Sequence, residues 1–189
     1  MSSLAKNYNR RKIAFKSGKG SFLYATNGKK YLDFVQGIAV NSLGHSNPYL
    51  IKAINKQAKK VWHVSNAFII PEGEKLAKKL TQKTFADFVI FKNSGTEATK
   101  AAINVARRYC YAIGKPKKKR MLCVKNSFHV RTLAAIYASG SKKMTEGCGP
   151  KVGGFYHFEF GDHKSIQKKI TKNTAAIMVE TIMGEGGIK

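Results

Sequence analysis

An α/β fold is predicted by three features of the sequence. Between residues 88 and 124 an apolar run, "FVIF", a helix-periodic stretch at 96–111 and a second apolar run, "MLCV", follow one another. That is the order of a βαβ unit, whose strands pair in parallel. Ser94 and Glu97 stand three residues apart at the start of the periodic stretch, the spacing of a capping box. Apolar residues alternate on both sides of Asn27-Gly28 in "SFLYATNGKKYLDFV", which predicts a hairpin over 21–35 with a two-residue turn of positive φ.

The remaining elements follow in chain order. Asn47 and Pro48 supply a cap and a first helical position, and Ile51, Ile54 and Ala58 then share one face, so a helix begins at 48. A second helix follows Pro71 and carries Leu76, Ala77 and Leu80. In the helix at 96–111, Ala98, Ala101, Ala102, Val105, Ala106 and Tyr109 recur at helical spacing. Beyond it come a strand at 155–158 ("FYHF"), a short helix after Asp162, and a strand in "TAAIMVE" ending at Glu180. No internal repeat interrupts this order.

Composition limits what such a chain does. With 43% apolar residues in 189, it has enough hydrophobic material for a genuine core. The net charge of +25 is carried by 29 Lys and only 6 Arg, scattered along the chain with one dense run, Lys117-Lys118-Lys119-Arg120. Base reading and bidentate phosphate contacts favour arginine, and no aromatic residues interleave with the run. It reads as a solvated loop and no nucleic-acid partner is expected, a basic nucleic-acid-binding protein being the rival reading from a different class. No stretch reaches the roughly 20 continuous apolar residues of a membrane span, so no membrane partner is expected and the cytoplasm is the expected location. Cys110, Cys123 and Cys148 are widely spaced, without a CxxC or a nearby pair of histidines, which suggests neither a disulfide framework nor a metal site.

The turn "NSGTEAT" at 93–99 is the first candidate site. A helix that starts at the carboxyl end of a parallel strand presents free N–H groups and the positive end of its dipole, and Gly95 leaves the backbone approachable. A phosphate seat and a purely structural βα turn both fit these residues. The GxxxxGK[ST] and GxGxxG patterns are absent. Glu180 and Glu185 stand five residues apart on a strand end and a glycine-rich loop, an arrangement that gives no reason to read them as a glycosidase pair.

Five stretches, "YLDFVQGIAVNSLGH" (31–45), "WHVSN" (62–66), "NSGTEATKAAINVARRY" (93–109), "NSFHVRTLAAIYASG" (126–140) and "VETIMGEGGIK" (179–189), together make the chain resemble the class III, fold-type I aminotransferases that use pyridoxal 5'-phosphate. The likeness runs over essentially the whole chain in the family's order. It implies a fold-type I transferase fold, with residues 1–60 as a segment of the small domain and 61–189 as an incomplete cofactor-binding large domain with a mostly parallel sheet.

The resemblance also implies roles. Gly95 and Thr96 match the pair that binds the cofactor phosphate, and Phe128 matches the aromatic residue that stacks on the pyridine ring. Arg131 matches the arginine that holds a substrate carboxylate. Glu185 matches the glutamate that pairs with an active-site arginine further along the chain. The implied reaction moves an amino group from N-acetylornithine to 2-oxoglutarate in arginine biosynthesis, with ornithine, succinylornithine or 4-aminobutyrate as alternative donors, in a homodimer. The family's Schiff-base lysine and its ring-nitrogen aspartate lie beyond the "GEGG" loop. The chain is therefore expected to be the N-terminal part of such an enzyme, with no catalytic residue of its own and no activity alone.

Two departures from the family pattern bear on the site. Val130 replaces the glycine usual in F-H-G-R-T, and a β-branched residue is strained wherever positive φ is required. Thr181 and Met183 replace the proline and glutamine usual in V-E-P-I-Q-G-E.

Overall fold

A computed structural model describes residues 3–189. The chain forms two compact units, one ending at Gln82 and one made of Lys83–Lys189.

In the first unit, β1 (Phe15–Lys19), β2 (Phe22–Ala25) and β3 (Lys30–Leu32) form an antiparallel meander in that order. The predicted hairpin is present as β2 and β3, paired through Phe22↔Leu32, Leu23↔Tyr31 and Tyr24↔Lys30. Its turn is longer than the expected two residues. Gly28 N donates to Ala25 O at 3.1 Å, Ala25 N donates to Lys29 O at 2.9 Å, and Gly28 takes φ 82°. This is the three-residue loop in which a glycine in the left-handed region closes a bulge. β1 has no alternation in its sequence, FKSGK, and becomes a strand by pairing with β2.

A short turn, α1 (Gln36–Ala39), runs the unusual way: Gln36, Gly37, Ile38 and Ala39 all have φ between 51° and 65°. A left-handed turn is costly for residues with a Cβ, and it persists where its ends are held. Asp33 and His45 clasp those ends at 2.7 Å, and His45 also exchanges backbone hydrogen bonds with Gly20 at 2.8 and 2.9 Å. The His45 hydrogen bond, with those from the Gln36 and Val35 amides, lowers the Asp33 pKa. α2 (Pro48–Ala58) starts as expected, the Asn47 side chain accepting from Tyr49 N and Leu50 N. α3 (Pro71–Lys83) follows, with Glu72 and Glu74 favourably placed in its first turn. The apolar faces of both helices carry no buried residue.

The second unit is built on a parallel sheet. Its elements are α4 (Gly95–Ala112), β4 (Arg120–Val124), α5 (Leu133–Ser139), α6 (Lys142–Thr145), β5 (Phe155–Phe158), α7 (His163–Lys169) and β6 (Thr174–Met178). The strand order is β5-β4-β6, with both pairings parallel. β4 is central and buried on both faces, as a near-continuous apolar run requires. Met121 and Cys123 join Ile103, Ala138 and Phe155 in one cluster, and Leu122 and Val124 join Phe158 and Met183 in the other. Side chains alternate across a strand, so two clusters on two faces follow from one four-residue sequence.

The strand expected at 88–91 is not formed. Phe88 and Ile90 are 90% and 62% exposed, and no ladder includes them among the described residues. An apolar run becomes a strand only by pairing, and nothing in the described residues pairs with this one. The parallel crossovers are instead β4 to β5 through α5 and α6, and β5 to β6 through α7.

Candidate active site

The candidate residues gather at the carboxyl ends of β4 and β6 and at the start of α4. Ser94 caps α4, its side chain accepting from Glu97 N at 3.3 Å, and Glu97 Oε2 accepts from Asn93 N at 2.9 Å. The capping box is thus closed one residue further out than its usual partner. Gly95 is exposed. A Cβ placed on it would have only Val130 Cγ1 near it, at 4.0 Å, so the helix N-terminus is open to a ligand. Thr96 is half-buried beside it.

Residues 125–132 form the loop that leaves β4, held by three contacts. Ser127, 1% exposed, donates its hydroxyl to Val124 O at 2.6 Å and meets His129 Nε2 at 2.9 Å. Phe128 N donates to Glu180 Oε2 at 2.9 Å. His129 is buried, and that burial lowers its pKa. The Glu180 carboxylate opposes the shift and His157 adds to it. Its buried ring, bonded to buried Ser127, helps to order the loop. Val130 has φ 68°, so the position that is glycine in the family pattern does require the left-handed region, and here a β-branched residue occupies it.

Arg131 and Glu185 line one cleft of about 650 Å³, together with Asn126, Ser127, Ile136 and Lys143. Both are exposed side chains, and no ion pair joins them among the described residues. The loop bearing Glu185 is fixed by buried Met183 and by reciprocal backbone bonds, Met183 N to Lys189 O at 3.0 Å and Ile188 N to Met183 O at 2.9 Å. Gly186 is needed for its close approach, because a Cβ there would lie 2.5 Å from Met183 Cε and 3.2 Å from Asn126 O. Gly95, Thr96 and Phe128 are not among the residues lining the cleft. Val130, next to Arg131 in sequence, has its Cγ1 4.0 Å from where a Cβ on Gly95 would stand.

Glu180, which the sequence offered no reason to pair with Glu185, instead accepts the Phe128 N–H. Among the described residues, no group of histidine, cysteine or carboxylate side chains is arranged to hold a metal ion, and no helix is long and apolar enough to cross a membrane.

The family model for class III aminotransferases matches residues 3–189. The chain belongs to that family. Its similarity to individual members is close. It is 52% identical over 177 residues to an acetylornithine aminotransferase of Agrobacterium fabrum, covering 94% of this chain and 44% of that relative. A solved structure of N-acetylornithine aminotransferase from Stenotrophomonas maltophilia matches with TM-score 0.78 and 32% identity, over 96% of this chain and 44% of the other. The ornithine aminotransferase of Toxoplasma gondii, in a structure described as having partial PLP occupancy at its active site, matches with TM-score 0.91 and 28% identity, over 98% of this chain and 44% of the other. The chain thus spans about half the length of the curated relatives it matches. The class III family accounts for the α/β architecture and the parallel sheet as fold-type I features.

Proposed function

We propose that residues 1–189 supply the phosphate seat and the substrate-carboxylate arginine of a pyridoxal-phosphate-dependent transaminase that moves an amino group from N-acetylornithine to 2-oxoglutarate, in arginine biosynthesis. The observation that carries this reading is the open, Ser94-capped start of α4: a Cβ placed on exposed Gly95 would have only Val130 Cγ1 near it, at 4.0 Å, and Val130 is next in sequence to Arg131.

The residues present fit the cofactor. Where bound, pyridoxal phosphate supplies the electron sink that makes amino-group transfer possible. The first-turn N–H groups of the 18-residue α4 and the Thr96 hydroxyl would hold the phosphate. Phe128, whose backbone N–H is held by Glu180, would supply a flat apolar face for the ring. Arg131 grips a substrate carboxylate with its two-pronged fork. Glu185 offers a carboxylate across the cleft to an arginine outside these residues, and so sets the charge that the second substrate carboxylate meets. The proton shuttle belongs to a lysine outside residues 1–189, so the chain by itself is catalytically silent.

In the complete enzyme, residues 1–60 contribute to the small domain and 61–189 to the cofactor domain, in a cytoplasmic homodimer whose substrates are amino acids and 2-oxo acids. The donor assignment rests on the likeness to acetylornithine aminotransferases. Ornithine is the second reading, motivated by the TM-score of 0.91 to the Toxoplasma enzyme. Co-expression with the C-terminal half of a relative, followed by assay of glutamate formation, tests the proposal. Turnover with N-acetylornithine exceeding that with ornithine, and only in the reconstituted pair, is expected. Activity of the 189-residue chain alone overturns the assignment of the proton shuttle.

A further inference from the structure

Apart from Arg131, the proposed function uses none of the basic residues behind the net charge of +25, and that charge is unevenly placed. From Ala98 to Thr145 there is no aspartate or glutamate, while Arg107, Arg108, Lys115 and the run Lys117–Arg120 fall within the stretch. Part of that charge collects at the amino end of the parallel sheet, where the segments entering β4, β5 and β6 begin. The Arg131 and Glu185 loops leave the opposite end.

At the amino end, a cavity of about 380 Å³ is lined by Arg107, Lys119, Arg120, Gly153, Gly154 and Tyr156. Both guanidiniums are held in place. Arg107 Nε donates to Lys119 O at 3.1 Å, and its Cζ lies 5.1 Å from the Phe155 ring centre. Gly154 has φ 93°, and a Cβ there would stand 2.7 Å from Arg107 Nη2, so only glycine lets the guanidinium lie against the backbone. Arg120 Cζ sits 3.7 Å over the Tyr156 ring. Its Nε is buried and donates to no acceptor among the described residues. A buried donor without an acceptor is costly and is rare in folded proteins, and none of the residues lining this cavity is acidic. The pocket therefore has charge, fixed geometry and a vacant donor, but no anion of its own.

We infer that this cavity binds an oxyanion of the phosphate class, with Arg107 and Arg120 as its forks. A second cleft of about 490 Å³, lined by Lys115, Lys117, Lys118 and Lys172, is formed in part by the same loop. Lysines act as point charges for phosphate, so the loop favours a multiply charged phosphate, whether inorganic or carried by a nucleotide. Nucleic acid is disfavoured, because the face of Tyr156 is already covered by Arg120 and gives no platform for stacking bases.

Calorimetric titration of the full chain with sodium tripolyphosphate at physiological salt tests this. One saturable event per chain is expected. Arg120→Gln weakens it by about tenfold or more, the effect of losing a charge-assisted hydrogen bond. Because Arg120 opens β4, Lys119→Gln provides a variant that leaves the strand intact, and it also weakens binding. Lys52→Gln on α2 removes the same charge elsewhere and has no effect. ATP in place of tripolyphosphate identifies the source: equal affinity indicates bare phosphates, and tighter binding a nucleotide. Absence of saturable binding overturns the inference. So does equal weakening by Lys119→Gln and Lys52→Gln, which means diffuse charge alone, or binding of single-stranded RNA where tripolyphosphate fails.

Discussion

Phe128 donates its backbone N–H to the Glu180 carboxylate at 2.9 Å, across 52 residues of sequence. One bond ties the loop leaving β4 to the loop leaving β6, strands that are direct neighbours in the sheet. Glu180→Ala removes the acceptor of a partly buried amide and is expected to lower stability by about 2 kcal/mol, the scale for hydrogen bonds to charged groups. Glu180→Gln keeps an acceptor and loses much less. Urea denaturation of the three proteins checks the order, and equal stability of Glu180→Ala and the parent chain refutes the role.

His129 makes stability depend on pH. Its folded pKa lies below the ordinary value of 6.5 because the ring is buried, with Glu180 opposing and His157 assisting the shift. The unfolded chain therefore binds the proton more readily. Stability from this group is fully present above about pH 6.5 and is lost as pH falls below that toward the lower folded pKa. His129→Gln is expected to flatten the pH dependence of Tm in that window. An unchanged profile means that another group carries it.

Val130 at φ 68° predicts a stabilising substitution. Val130→Gly removes left-handed strain at the cost of a looser unfolded chain, a net gain of about 1 kcal/mol. Val130→Ala relieves only the β-branched part. Thermal melts that rank glycine above alanine above valine confirm the strain, and a destabilised glycine variant shows that the Val130 side chain contributes more by packing than it costs.

Arg131→Lys keeps the charge and loses the fork. In the reconstituted enzyme it is expected to raise KM for the substrate whose carboxylate it holds while the cofactor absorption spectrum stays intact. Loss of cofactor with normal KM assigns Arg131 to the phosphate instead.

Burial pushes the Cys123 thiol up to about 12, with Arg107 partly offsetting it, whereas Cys148 is half-exposed at the cleft. The thiolate is the reactive form. Iodoacetamide is expected to label Cys148 in the native chain and Cys123 only on unfolding, as read by mass spectrometry. Native labelling of Cys123 contradicts the burial of β4.

The helix starts at Asn47, Ser94 and Asp162 were legible because a cap is a local matter, one side chain bonding an amide two or three residues on. α5 was not foreseen, since Thr132 makes no capping bond and the helix is held by the burial of Ala135, Ile136 and Ala138. β1 and the run at 88–91 failed in opposite directions for the same reason: pairing decides strands, and the partner of a strand is not written in its own residues. In the site, Gly95 was marked by the helix start itself, whereas Thr96, Phe128, Arg131 and Glu185 were named from the resemblance. The Glu180 bond joins segments 52 residues apart, and no periodicity or spacing reveals such a contact.

Because β4, β5 and β6 all run the same way, every strand carries the chain from the arginine cavity toward the Arg131 cleft. From Arg120 to Val124 that is about 13 Å of rigid backbone at the usual rise per residue, with the two clusters packed on either side. Substitutions separated by such a spacer, with no shared partner, usually add. The molecule is in this respect modular: substitutions at Arg120 and at Arg131 are expected to sum in a double-mutant cycle, so either end can be re-engineered without retuning the other.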